Sequence, residues 1–250
     1  MQLQDFFKEH TKAAIAFSGG VDSAYLLYAA GRYAQEVCAY YVKTPFQPLF
    51  EWEDAKRLTD ELGILLRCIE LDILTDESVV SNPQDRCYFC KKRIFSAIAD
   101  AAKQDGFSVL LDGTNASDDE GDRPGMKALR ELSVLSPLRL CGLSKKDIRA
   151  LSKEAGLFTW NKPAYACLAT RIPAGQPITL QSLRRTEEAE SFLFSLGFLD
   201  FRIRTVGEDA KIQIASSQLP MLIEHRNEIL AELKKRYQSV LLDLEMRDEH

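Results

Sequence analysis

Short apolar runs alternate with amphipathic stretches through the first two-thirds of the chain. Ala13–Phe17, Val37–Val42, Leu65–Leu71 and Ser108–Leu111 are largely apolar segments of strand length and are the strand candidates. Helical spacing of apolar positions runs through Val21–Ala34, Leu49–Leu62, Lys91–Gln104 and Lys145–Ala155. Strands that are apolar on both faces and separated by helices predict an α/β fold, a parallel sheet covered by helices on each side. Right-handed crossovers then place all strand C-termini on one edge, where ligands bind. The segments after Phe17, Leu111 and Cys141 are expected to meet there.

The pattern changes from about residue 176. Thr179–Leu196 has the spacing of a long amphipathic helix stopped by Gly197. Phe201–Val206 and Ala210–Ala215 flank Gly207-Glu208-Asp209 as a hairpin does, Leu219–Arg236 is helical, and Ser239–Leu244 is a last strand. Pro173-Ala174-Gly175-Gln176-Pro177 has the Pro/Gly density of a boundary. The expectation is an α/β domain over 1–175 and a small α+β domain over 176–250, suited to substrate binding or oligomerisation.

Composition narrows the function classes. The 250 residues carry 32 basic and 37 acidic side chains, net −5, which gives no overall attraction to nucleic acid. The N-terminal Met1–Phe7 lacks a basic and apolar leader, and no apolar run approaches the roughly 18 residues of a membrane span. A cytoplasmic location is the expectation. Six cysteines in a reducing compartment are expected as core thiols, metal ligands or reactive groups rather than disulfides.

The chemistry-bearing residues begin with Ser18-Gly19-Gly20-Val21-Asp22-Ser23, between the first strand and the first helix of the sheet. Two glycines let backbone N–H groups converge on a phosphate, and the helix N-terminus adds partial positive charge aimed at it. Ser18 and Ser23 add hydroxyl donors. Asp22 repels phosphate, so a bridging Mg²⁺ is its expected partner. No lysine follows the glycines, which excludes a Walker A loop. Asp112-Gly113-Thr114-Asn115 follows another strand and belongs on the same edge, suited to ribose or phosphate. Arg123, fixed by Pro124 and Gly125, is a candidate anion ligand.

Cys87-Tyr88-Phe89-Cys90 places two sulfurs on one side of a turn, as a metal or redox pair requires. Zinc, an iron–sulfur cluster and a disulfide all remain open at this point. A second C-x-x-C is absent and the three histidines lie far from the cysteines, which argues against a zinc ribbon. Cys38 and Cys68 lie within strand-like runs and are expected as buried core thiols. Cys141 is expected to be structural. Cys167 sits in a polar segment before the expected domain boundary and is a candidate nucleophile or third ligand.

Together these motifs resemble a known family. S-G-G-V-D-S, N-P-x-x-R-C-Y-F-C-K (Asn82 to Lys91), D-G-T-N, R-P-G-x-K-A (Arg123 to Ala128), S-P-L (Ser136 to Leu138) and K-P-x-x-A-C-L-A-T-R-I-P-x-G-x-P-I-T (Lys162 to Thr179) occur in order. The first is similar to the PP-loop of the ATP-pyrophosphatase superfamily. The ordered set, spanning nearly the whole chain, resembles the ATP-dependent sulfur transferase LarE family.

That resemblance implies an enzyme of nickel-pincer nucleotide cofactor synthesis. It implies adenylation of a carboxylate of pyridinium-3,5-biscarboxylic acid mononucleotide with release of pyrophosphate. Sulfur then displaces AMP to leave a thiocarboxylate. Cysteines matching Cys87, Cys90 and Cys167 hold a 4Fe–4S cluster in one branch of the family. In the other, the single cysteine matching Cys167 surrenders its own sulfur. The presence of all three implies the cluster branch. Arg202 and Arg204, alternating on one strand face, match substrate-phosphate ligands. Glu190 matches an acidic metal-associated residue, whereas Gln213 stands where relatives carry an acid. A homo-oligomer, trimer or hexamer, is also implied. The alternatives are a cluster-dependent tRNA thiolase, which the acidic net charge argues against, and a non-catalytic nucleotide or redox sensor.

Overall fold

A computed structural model describes residues 1–118 and 124–247. The chain divides into two compact units, Met1–Ile73 with Asp85–Lys162 and Leu74–Gln84 with Pro163–His250.

The first unit holds α1 (Leu3–Glu9), β1 (Lys12–Ala16), α2 (Val21–Tyr33), β2 (Glu36–Lys43), α3 (Leu49–Leu62) and β3 (Leu65–Glu70). The second unit then contributes the short α4 (Glu77–Val80). The first resumes with α5 (Arg86–Gln104), β4 (Leu110–Leu111), α6 (Pro124–Glu131), α7 (Pro137–Leu140) and α8 (Lys145–Glu154). Its strands form a parallel sheet in the order β3-β2-β1-β4. β1 is covered on both faces, which explains its unbroken apolar run. Ala13 and Ile15 pack into the cluster of Phe7, Leu26 and Leu27, while Ala14 packs with Tyr40, Phe95 and Ile98 on the other side. β3 is an edge strand, and Cys68 on it is exposed, contrary to its expected burial. Cys38, on the interior strand β2, is buried as expected.

The strand order matters for function. The connection from β1 leads to β2 on one side, and β4 pairs on the other. The C-terminal ends of β1 and β4 therefore flank a topological switch point, where open α/β sheets bind ligands.

The second unit continues with α9 (Leu180–Ser195), β5 (Arg202–Val206), β6 (Asp209–Gln213), α10 (Leu219–Glu224), α11 (Arg226–Leu233) and β7 (Val240–Leu242). The sheet order is β5-β6-β7, antiparallel then parallel. Gly207, at φ +59°, starts the two-residue β5–β6 turn in a conformation few other residues adopt. Thr179 and Ser182 form a capping box that starts α9, and Gly197 follows its end. Leu193, Phe198, Phe201, Ile203, Ile212 and Leu233 form this unit's core.

The Pro/Gly segment at 173–177 does not mark the division of the chain, which falls after Lys162. That segment is an ordered turn gathered by Asn82. The Asn82 amide donates to the carbonyls of Ile172, Pro173 and Gln176, and the Asn82 carbonyl accepts from the Gly175 N–H. These bonds are why residues 74–84 belong to the second unit.

Candidate active site

The turn from β1 into α2 is shaped by its own small residues. Gly19 adopts φ +74°, and a Cβ there would lie 3.1 Å from the Glu51 carbonyl oxygen of α3. Gly20 is the N-cap of α2. The Ser18 and Ser23 hydroxyls lie 3.0 Å apart, and Ser23 Oγ donates to the Gly20 carbonyl. The opening N–H groups of α2 have no intrahelical acceptor and are available to an anion.

Gly113 follows β4 and touches this turn. A Cβ at Gly113 would lie 2.8 Å from the Ser23 nitrogen and 3.0 Å from its Cα. Between the two turns lies a cleft of about 280 Å³, lined among others by Ser18, Gly20, Asp22, Ser23, Gly113 and Thr114. The segment after Cys141 joins them. Ala116 N–H donates to the Leu143 carbonyl, and Lys145 reaches Asp22. The three segments expected on one edge do meet.

Several expected ligands prove to be turn builders. The Thr114 hydroxyl donates to Asp112, whose other oxygen accepts from Ser136 Oγ at 2.6 Å. The Asn115 side-chain oxygen accepts from the Ser117 N–H at 2.8 Å. Gly113 and Thr114 nevertheless line the cleft, whereas Asn115 is buried and does not. Arg123 lies outside the described residues.

Asp22 lines the cleft with one oxygen, Oδ2, 2.5 Å from Lys145 Nζ. The other, Oδ1, is buried without a hydrogen-bond partner among the described residues. An orphaned, buried carboxylate oxygen suits a cation. Lys91 and Phe95 also line the cleft, and Lys162 bonds the Gly19 carbonyl and pairs with Asp54 at 2.7 Å. Sequence reasoning missed Lys91, Lys145 and Lys162 as neighbours of the loop. Lys91 had a local signal, because 91 and 95 share a face of the helix begun by the C-x-x-C. Lys145 and Lys162 had none, since each arrives by tertiary folding.

The C-x-x-C itself lies in the first turns of α5, not in a turn as expected. Cys87 is exposed and Cys90 half-buried. Spacing of four puts Cys87 on the face of α5 that carries Lys91 and Phe95 toward the cleft. Cys167, in the second unit, is half-buried and caps a short 3₁₀ turn, its carbonyl accepting from Thr170 N–H and Oγ1. Among the described residues no three His, Cys, Asp or Glu side chains are grouped to hold a metal ion.

In the second unit, Arg202 and Arg204 share a strand face with Arg171 nearby. Arg202 is buried and donates to the Phe201 and Ala164 carbonyls. Burial, with Arg171 and Arg247 adding repulsion, pushes its guanidinium down to about 10. Arg204 is exposed, bonds Gln213 and the Thr170 carbonyl, and is lowered by the same causes. Cations that disfavour one another favour an anion.

Glu190 is not placed as a metal ligand. Its oxygens accept from Arg171 Nε at 2.7 Å and Nη2 at 3.2 Å, Tyr165 OH at 2.5 Å and the Ile203 N–H at 2.9 Å. The Glu190 and Arg171 side chains are only 2% and 1% exposed. Glu190 therefore holds Arg171 and Tyr165 beside the strand that carries Arg202.

The Ser18–Ser23 loop, the Gly113 turn packed against it and the arginines of β5 are the geometry against which the sequence comparisons are set. A pyridinium-3,5-bisthiocarboxylic acid mononucleotide synthase of Lactiplantibacillus plantarum is 32% identical over 242 residues, 95% of this chain and 87% of that one. The chain belongs to the ATP-dependent sulfur transferase LarE family. An uncharacterized protein of Synechocystis is 33% identical over 249 residues, 97% of this chain and 92% of that one. A tRNA-specific 2-thiouridylase MnmA of Pseudothermotoga lettingae is 26% identical over 187 residues, 60% of this chain and 54% of that one. No family model matches the chain. The family is enzymatic, as the name of the Lactiplantibacillus plantarum synthase states. No described helix is long and apolar enough to cross a membrane.

Proposed function

We propose that this protein converts a carboxylate of pyridinium-3,5-biscarboxylic acid mononucleotide to a thiocarboxylate, in two half-reactions driven by ATP. The observation that carries the reading is the Ser18–Ser23 loop facing Gly113 across a cleft at the switch point, in a chain of the LarE family. The loop N–H groups and the serine hydroxyls of 18 and 23 bind the nucleotide phosphates. The substrate carboxylate attacks the α-phosphorus, the bond to the β-phosphate breaks, and pyrophosphate leaves. The acyl adenylate is open to sulfur because AMP departs far more readily than oxide. Attack at the acyl carbon forms the C–S bond and releases AMP.

Asp22 is the residue that would hold Mg²⁺, on the strength of its orphaned Oδ1. The metal would supply charge neutralisation to the phosphates. Arg202 and Arg204 anchor the phosphate of the mononucleotide, a reading supported by the repulsion each receives from Arg171 and Arg247. Cys87, Cys90 and Cys167 are the thiols that would hold a 4Fe–4S cluster. They are the right donors for one, and it would supply labile sulfide. We place the protein in the cytoplasm as a homo-oligomer, consistent with the family.

Iron and acid-labile sulfide measured on protein purified without oxygen test the sulfur source. Close to four irons per chain, lost in Cys87→Ala, supports the cluster. Zinc, or full iron retention in that variant, contradicts it. An iron-free anaerobic protein that loses the mass of H₂S on turnover makes Cys167 the consumed donor.

A further inference from the structure

We propose that Lys145 is the cation that takes up the charge of the departing pyrophosphate. The inference rests on the ATP-dependent reading above and adds a residue to it. The phosphate loop lacks a lysine of its own, and the only charged side chain in the first turn of α2 is Asp22. A loop that binds a polyanion beside a carboxylate needs a positive charge from elsewhere.

Lys145 supplies one from 123 residues along the chain. It is the first residue of α8, where Ser144 and Asp147 form a capping box. Its own N–H donates to Ser117 Oγ at 3.0 Å. Buried Ile148 and Ser152 seat the helix. The backbone is thus fixed, and the long side chain carries the ammonium to the rim of the cleft.

The pair it forms with Asp22 differs from a structural salt bridge. Lys145 and Asp22 side chains are 36% and 23% exposed, against 1% and 2% for Arg171 and Glu190. Every oxygen of Glu190 is bonded, whereas Asp22 Oδ1 has no partner among the described residues. A half-satisfied, partly solvated pair is built to exchange partners. When nucleotide enters, Asp22 turns to the cation that accompanies it, and Lys145 Nζ moves to a phosphate oxygen. In the adenylation step the carboxylate oxygen bonds to the α-phosphorus as the bridge to the β-phosphate breaks. The electron pair leaves with pyrophosphate, nothing is oxidised or reduced, and the ammonium keeps its proton while neutralising the new charge. Lys162 is held by Asp54 and is only 15% exposed, so it lacks this freedom.

The test compares wild type, Lys145→Met, Lys145→Arg and Lys91→Met. Single-turnover pyrophosphate release is followed at saturating ATP, and ATP affinity is measured by calorimetry without the carboxylate substrate. Loss of one preorganised charge at a reacting group lowers the rate about 10²-fold, so Lys145→Met is expected to fall by that factor and Lys145→Arg to recover much of it. The deficit widens with β,γ-methylene ATP, whose leaving group is more basic. A Met variant within about twofold of wild type in rate, or a deficit confined to ATP affinity, overturns the proposal. So does a deficit carried by Lys91→Met alone. Should the Met variant fail to fold by circular dichroism, Lys145→Gln is read by the same criteria. Wild type that binds ATP but releases no pyrophosphate refutes the adenylation reading instead, and the two failures are distinguishable.

Discussion

Replacing Gly113 by alanine tests whether the β4 turn and the phosphate loop form one packed structure. The added Cβ would stand 2.8 Å from the Ser23 nitrogen, 3.0 Å from its Cα and 3.2 Å from the Asp22 carbonyl carbon. All three are backbone atoms of the first turn of α2, so no flexible side chain can yield. The turns must part by roughly half an ångström, and overpacking of this kind costs about 1–3 kcal/mol. For a unit of this size that lowers Tm by about 2–12 °C, at roughly 2–4 °C per kcal/mol. The strain falls on the N–H groups proposed to receive phosphate, so ATP affinity is expected to drop by about 10- to 100-fold, at 1.4 kcal/mol per decade. Gly63→Ala is the control. Gly63 ends α3 at φ +64° with nothing within 4 Å of its would-be Cβ. It destabilises by about 1 kcal/mol and leaves ATP affinity alone. Denaturant titration and calorimetry with ATP read both quantities. A Gly113→Ala protein with wild-type stability and wild-type ATP affinity refutes the reasoning.

Three other outcomes follow from the same structure. Asp22→Ala abolishes pyrophosphate release and leaves the circular dichroism spectrum unchanged; an active variant would remove the carboxylate from the site. Glu190→Ala strands the buried Arg171 cation and destabilises the second unit by about 3–5 kcal/mol in denaturant titration, while Glu190→Gln, which keeps the acceptor shape, loses less. A third concerns pH: Arg67, with Tyr40 adding a hydrogen bond, holds the Asp105 carboxyl below the usual carboxylate range. A depressed carboxyl stabilises above its unfolded value of about 3.9 and loses that contribution as pH falls through the folded value. Wild type is therefore more stable than Asp105→Asn at neutral pH, and the gap closes below about pH 4. A gap independent of pH contradicts the pairing.

The phosphate loop was legible because its signal is local. Glycines, hydroxyls and the preceding strand all lie within a dozen residues of one another, and sheet edges collect such turns. The strands agree within a few residues for the same reason. What the chain hides are contacts made at long range. Lys145 carries no mark of its meeting with Asp22, and the Asn82 amide binds carbonyls at least 90 residues away. The Pro/Gly run at 173–177 was therefore legible as a turn but not as a part of one unit. Cys68 misled because its run looks like any strand, and only the sheet order places β3 at an edge. The polar start of α5 concealed that Cys87 and Cys90 are helical, since Arg86, Lys91 and Lys92 carry no apolar period. Glu190 was singled out by resemblance to its relatives, and the four donors around it were invisible until Arg171, Tyr165 and Ile203 were placed.

The proposed reaction exchanges one carboxylate oxygen for sulfur at the expense of ATP. Anaerobic protein, Mg-ATP and pyridinium-3,5-biscarboxylic acid mononucleotide, followed by mass spectrometry with AMP and pyrophosphate assays, test it directly. The expected product is heavier by the difference between sulfur and oxygen, with one AMP and one pyrophosphate per exchange. AMP and pyrophosphate without sulfur in the product, or no nucleotide cleavage on adding the substrate, would contradict it.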